Sequence, residues 1–200
     1  MIDKIICLSL YNRQDRLVKL KQSAPDLPEF EIFEALTPTS FIVPGSWKER
    51  HSYYSTTKGH LMIMEKLWKD EDWNNVLILE DDAEFNTTYK EVQLFVDKVN
   101  TKRPDWLGIF LGYHNQREAT SVDGIIELCN GCTMSHAYVI NRPGLERLYD
   151  HLWVCQFRIV DWAYSDLMKD DKAFFIPKYQ MITTQKGFSE NMFHEKQRGT

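Results

Sequence analysis

Three consecutive carboxylates, Glu80, Asp81 and Asp82, follow directly on the apolar run Val76, Leu77, Ile78, Leu79. Such a cluster is either a solvated turn after a core strand or a grip for a hard cation. Adjacent carboxylates repel one another, and desolvating them without a partner is costly, so oxygen coordination of a divalent ion is the economical chemical reading. On an extended chain alternate residues share a face, so Glu80 and Asp82 would turn to the metal and Asp81 the other way. Asp161 precedes a helical pattern from Trp162 to Met168, where it either caps the helix or projects a carboxylate into a crevice. Arg13 and Arg16 lie in the first strand-to-helix loop, where a guanidinium either meets a diphosphate or forms a surface ion pair. His60 is a lone helical histidine with a structural or a binding role, and His194 stands in a tail without periodicity. Cys129, Asn130, Gly131 and Cys132 have redox or zinc spacing, but Asn-Gly is also a two-residue hairpin turn, and no second ligand pair accompanies it.

The elements that must position these residues alternate. Residues 5–10 read as a buried strand, 15–22 as a helix and 30–36 as a second strand. Residues 37–52, with Pro38, Pro44 and Gly45, read as a long loop. The spacing of Leu61, Met64, Leu67 and Trp68 predicts a helix over 56–69, with Thr56 or Thr57 as its cap and His60 in its first turn. The acidic strand comes next, then a helix over 89–99 and a buried strand over 106–111. A polar surface loop runs to Asp123, and the Asn-Gly hairpin leads into a strand over 136–140. Asn141 and Pro143 start another helix, and 173–176 is the last short strand. Strands alternating with helices give an α/β fold, in which ligand groups sit at the carboxyl ends of buried strands.

A chain of 200 residues fits one domain. With 43% hydrophobic and 26% charged residues it has the composition of an ordinary globular protein. A net charge of -5 without a dense Lys/Arg run argues against a broad nucleic-acid surface. No segment has the length of a membrane span, and four cysteines are too few for a disulfide scaffold, so a soluble, cytoplasmic protein is expected.

Several segments, in order along most of the chain, resemble glycosyltransferase family 25, which includes bacterial lipopolysaccharide transferases and the collagen galactosyltransferases. Leu10, Arg13, Asp15 and Arg16 match its early motif with one extra residue, and 32–35 match its Phe-x-Ala strand. Gly59 and His60, followed by 64–67, are similar to its Ser-His helix, although 55–58 depart from the pattern that precedes the His. Residues 78–83 reproduce its Ile-Leu-Glu-Asp-Asp-Ala run unaltered, and 136–140, Val160 with Asp161, Pro177 and 185–189 follow. The resemblance implies a single GT-A, Rossmann-like domain over 1–200, with a mixed, mostly parallel sheet flanked by helices. The nucleotide-sugar part would span about 1–115 and the acceptor and catalytic part about 116–200. It implies transfer of a sugar from a nucleotide-sugar, a UDP-sugar, to a carbohydrate or glycoconjugate hydroxyl, with Mn²⁺ or Mg²⁺ held by Glu80 and Asp82. His194 would add a ligand, and Leu10, Arg13, Arg16, His60 and Asp81 would contact the donor. Asp161 would be the general base of an inverting displacement. A non-catalytic nucleotide-sugar or glycan-binding module and a nucleotidyltransferase are the alternatives; the donor sugar and the acceptor stay open.

Overall fold

The structure, a computed structural model, describes residues 1–186 except 38, 41, 48, 50, 116, 156 and 157. His194 and residues 187–189 of the matched tail lie outside the described residues. In chain order the elements are β1 (Lys4–Ser9), α1 (Gln14–Ser23), β2 (Glu31–Glu34), α2 (His51–Lys69), β3 (Asn75–Glu80), β4 (Ala83–Phe85) and α3 (Tyr89–Lys102). They continue with β5 (Gly108–Phe110), β6 (His114–Asn115), β7 (Thr120–Ser121), β8 (Ile126–Leu128), β9 (Cys132–Thr133) and β10 (Ala137–Asn141). The last are α4 (Arg142–Val154), α5 (Val160–Asp170), β11 (Phe174–Pro177) and β12 (Ile182–Thr184).

Eight strands form one sheet in the order β2-β1-β3-β10-β5-β11-β8-β7. The pairings make β2, β1, β3, β5, β11 and β7 run one way and reverse only β10 and β8. This is the expected mixed, mostly parallel sheet. Its central strands are apolar without interruption because helices cover both faces. Ile6, Leu8, Val76, Ile78 and Tyr138 join one core with residues of α2, α4 and α5. Ile5, Cys7, Leu77, Leu79 and Val139 join a second core with residues of α1 and α3. The reversed β10 sits between β3 and β5, so its start lies at the same sheet edge as the carboxyl ends of β1, β3 and β5.

Several local expectations are corrected. The helix over 56–69 begins at His51, so Thr56 and Thr57 are interior and His60 lies in its third turn. Ser55, Thr56 and Thr57 are tolerated there because each hydroxyl donates to the carbonyl one turn back, at 3.0, 3.2 and 2.9 Å. Thr57 does cap a helix, but another one: its Oγ1 accepts the Val160 amide of α5 at 3.1 Å. Asp161 is therefore a first-turn residue, and the N-cap of α5 is Ile159, which makes no side-chain cap. The Asn-Gly turn closes no hairpin, since β8 pairs with β11 and β7 while β9 pairs with β6. The strand β11 is followed by β12, which pairs with β4 in a small second sheet. Asn141 caps α4 as expected, accepting the Gly144 amide at 2.8 Å.

Candidate active site

The strand β3 delivers Glu80 as its last residue, and Asp81 and Asp82 form the turn into β4. Strand alternation separates the first two carboxylates. Asp81 goes to the α1 side, where Oδ1 accepts from Arg16 at 2.7 Å and Oδ2 from Ser9 Oγ at 3.0 Å and the Leu10 amide at 3.4 Å. Glu80 goes to the α2 side, where Oε1 accepts from Ser135 Oγ at 2.8 Å and lies 3.3 Å from His60 Nε2. Asp82 follows neither, because the extended chain has ended. Its Oδ2 is 3.6 Å from Arg16, and its Oδ1 is buried with no partner among the described residues. The expected shared face of Glu80 and Asp82 is thus replaced by a three-way spread around one turn.

The electrostatics follow from this placement. Burial first, then repulsion from Glu80, pushes the Asp82 carboxyl up to about 7, against the pull of Arg16. Glu80 is held below the ordinary carboxylate range; burial acts to raise it, but His60 and Ser135 outweigh that. Arg16 is raised above its ordinary value: desolvation opposes the charge, and Asp81 and Asp82 more than restore it. Asp161, at the start of α5, is raised by burial and by Glu80, with Ser135 stabilising the charged form. The single Ser135 hydroxyl proton can serve Glu80 or Asp161, not both. Asp161 Oδ1 has no partner among the described residues.

Histidine supports the acids from behind. His60 is fully buried, with Nδ1 2.9 Å from the Tyr138 hydroxyl. His60 Nε2 faces Glu80 Oε1, and a carboxylate oxygen only accepts, so Nε2 carries the hydrogen and donates to Glu80. His60 therefore orients Glu80. His136 Nε2 faces the Ile182 carbonyl at 3.3 Å and must donate to it, so Nδ1 is the buried ring atom without a partner. Burial holds His136 below its ordinary value despite Glu80 and the Ile182 carbonyl. Gly112 is required there, since a Cβ would collide with both His136 Nε2 and the Ile182 carbonyl oxygen.

Gln185 ties the turn from the other end. Its amide donates to the Asp82 carbonyl at 2.6 Å, and its Nε2 lies 3.1 to 3.2 Å from the carbonyls of Arg16, Asp81 and Ala83. Of the residues singled out in the sequence, Leu10, Arg16, His60, Glu80, Asp81, Asp82 and Asp161 converge. Arg13 is the N-cap residue of α1, and its side chain pairs with Asp15 at 3.5 Å. Ser9, Ser135, His136 and Tyr138 were not legible as site residues. Ser135 and His136 are a polar pair before an apolar strand, a signal whose meaning depends on knowing that β10 is reversed.

Among the described residues no three His, Cys, Asp or Glu side chains form a metal-binding group. A magnesium-like ion held by one or two carboxylates and by substrate phosphates needs no third side chain. The unpartnered Asp82 Oδ1, desolvated between two acids, is an oxygen suited to such an ion.

The sheet order and the helices on both faces define a Rossmann-like α/β domain, with the acidic cluster at the carboxyl edge of its sheet. The sequence matches no protein-family model and no curated protein. It is similar in structure to A197 from STIV, with a TM-score of 0.51 and 10% identity over 98% of this chain and 100% of that one. A glycosyltransferase involved in the glycosylation of the major capsid of PBCV-1 gives a TM-score of 0.43 at 11% identity, over 88% and 94% of the two chains. Mannose-1-phosphate geranyltransferase from Thermus thermophilus gives 0.49 at 10%, over 88% and 74%. At 10% identity the similarity to A197 is a likeness of fold alone. No helix among the described residues is long and apolar enough to cross a membrane.

Proposed function

We propose that the chain is a metal-dependent glycosyltransferase that moves a hexose from a UDP-linked donor to a hydroxyl of a glycan or glycoconjugate, with inversion. The observation that carries the reading is the acidic turn at the carboxyl end of β3, with the bare buried oxygen of Asp82 beside Arg16. Mn²⁺ or Mg²⁺ on the bare Asp82 oxygen, in the field of the neighbouring Glu80 charge, would supply Lewis-acid neutralisation of the charge that develops on the departing diphosphate. His194 is kept as a further ligand. Arg16 meets the diphosphate, with Arg13 at the rim. Asp81 pins Arg16, Ser9 and the Leu10 amide in place, a role that replaces the direct donor-hydroxyl contact expected from the sequence. The free cysteines suit the cytoplasm.

Asp161 is the general base in this reading. Its free Oδ1 takes the acceptor hydroxyl proton as the acceptor oxygen bonds the anomeric carbon and the bond to the diphosphate breaks. Its raised proton affinity makes it a stronger base than an exposed carboxylate, and requires activity to rise with pH as it ionises. Asp161→Asn should lower kcat by about 10²- to 10⁴-fold while donor Kd changes little. Equal loss of donor affinity and turnover would refute the base. Donor binding without release of UDP, whatever acceptor is supplied, would make the chain a binding module. Release of pyrophosphate from a nucleoside triphosphate would make it a nucleotidyltransferase.

A further inference from the structure

The paired cysteines find a third sulfur in the fold. The Sγ atoms of Cys129 and Cys132 each lie 3.5 Å from the thioether of Met168 on α5, and the two thiols are within hydrogen-bonding reach of each other. Cys129, Cys132 and Met168 are at most 1% exposed. The turn between the cysteines is built for this approach. Gly131 has φ +119°, and the Cys129 amide is fixed to the Phe174 carbonyl at 2.9 Å. Ser165, one turn before Met168 on α5, is fully buried with no partner for its hydroxyl among the described residues. It faces the same turn: a Cβ on Gly131 would stand 3.2 Å from Ser165 Oγ.

We propose that Cys129, Cys132 and Met168, with the Ser165 hydroxyl beside them, form a binding site for a soft monovalent cation, copper(I). Thiolate and thioether sulfurs select this ion, whereas zinc takes four thiolate, imidazole or carboxylate ligands, and a thioether is not among them. Metal–thiolate bonds of about 2.3 Å place the sulfurs of a trigonal site about 4 Å apart, so the observed spacing needs to open by only a few tenths of an ångström. On binding, two S–H bonds break, both protons pass to solvent, and two metal–sulfur bonds form. Met168 donates a lone pair, and no electron is transferred. The product is a centre of net charge -1, and the turn carries a cation beside it: Lys172, whose Nζ binds Asn130 Oδ1 at 3.2 Å and whose charge favours the Cys129 thiolate.

The test titrates the full chain anaerobically with copper(I) against bicinchoninate. One equivalent should leave the chelator, and X-ray absorption should show three sulfur neighbours at about 2.3 Å. Met168→Leu conserves volume and should keep the fold by circular dichroism while weakening copper affinity at least ~10-fold. The double variant Cys129→Ser with Cys132→Ser should lose the site. No removal of copper from the chelator would overturn the proposal, as would full retention by the double variant. A Cys129–Cys132 disulfide that excludes the ion in fully reduced buffer would also overturn it.

Discussion

Asp82→Asn should stabilise the metal-free protein at alkaline pH. In the native turn the Asp82 carboxyl is pushed from an ordinary 3.8 up to about 7, chiefly by burial and then by Glu80. A group that binds its proton more tightly when folded contributes stability below its unfolded value. That contribution is lost as pH rises through the folded one. Moving from 3.8 to about 7 corresponds to at most about 4 kcal/mol, at ~1.4 kcal/mol per tenfold. Asparagine keeps the shape and cannot ionise, so the two proteins should match near pH 4, diverge as pH rises from about 4 to about 7, and keep the full difference above that. For a domain of this size the full difference is roughly 8–16 °C in Tm. The assay is thermal unfolding in chelator across pH 4–9. Adding Mn²⁺ at 100 times its Kd should return about 2.7 kcal/mol to the wild type and much less to the variant. A variant that is less stable than wild type at pH 8 in chelator, or a difference independent of pH, would refute the reasoning.

Arg16→Ala should cost about 3–5 kcal/mol in urea unfolding, because it leaves the buried Asp81 charge to Ser9 and one amide; a loss below about 1 kcal/mol would show that Asp81 does not depend on Arg16. Gly112→Ala should destabilise by at least ~3 kcal/mol or prevent folding, since its Cβ would strike His136 and Ile182. Gly124→Ala, at φ +57°, should destabilise by about 1 kcal/mol in the same assay although its Cβ meets nothing among the described residues within 4 Å, because the cost lies in the left-handed backbone.

Much of the fold was legible because burial on both faces writes itself as uninterrupted apolar runs, as in β1 and β3. The acidic turn was legible for the same reason: charge ending such a run marks a strand's exit from the core. The parts that were not legible depend on partners distant in sequence. The start of α2 at His51 is hidden by hydroxyl residues that bond back into their own helix, so they read as caps. The Asn130-Gly131 turn has hairpin chemistry, yet β8 prefers β11, and β9 finds β6, so local turn propensity gives way to tertiary pairing. The reversal of β10 carries Ser135 and His136 to the acids, and the sequence of β10 is as apolar as that of its parallel neighbours. Asp161 reads as a cap or a crevice carboxylate; Thr57, over a hundred positions earlier, takes the capping role and leaves the acid facing Glu80 and Ser135. Gln185 enters only through the resemblance, because a lone polar residue after a short strand has no pattern of its own.

Isothermal titration of UDP, with Mn²⁺ and with chelator, tests the central claim most directly. The account predicts UDP binding at least ~10-fold tighter with Mn²⁺, and loss of that enhancement in an Asp82→Ala variant that still unfolds cooperatively. Equal UDP affinity with and without the metal, or an enhancement that survives Asp82→Ala, would contradict it.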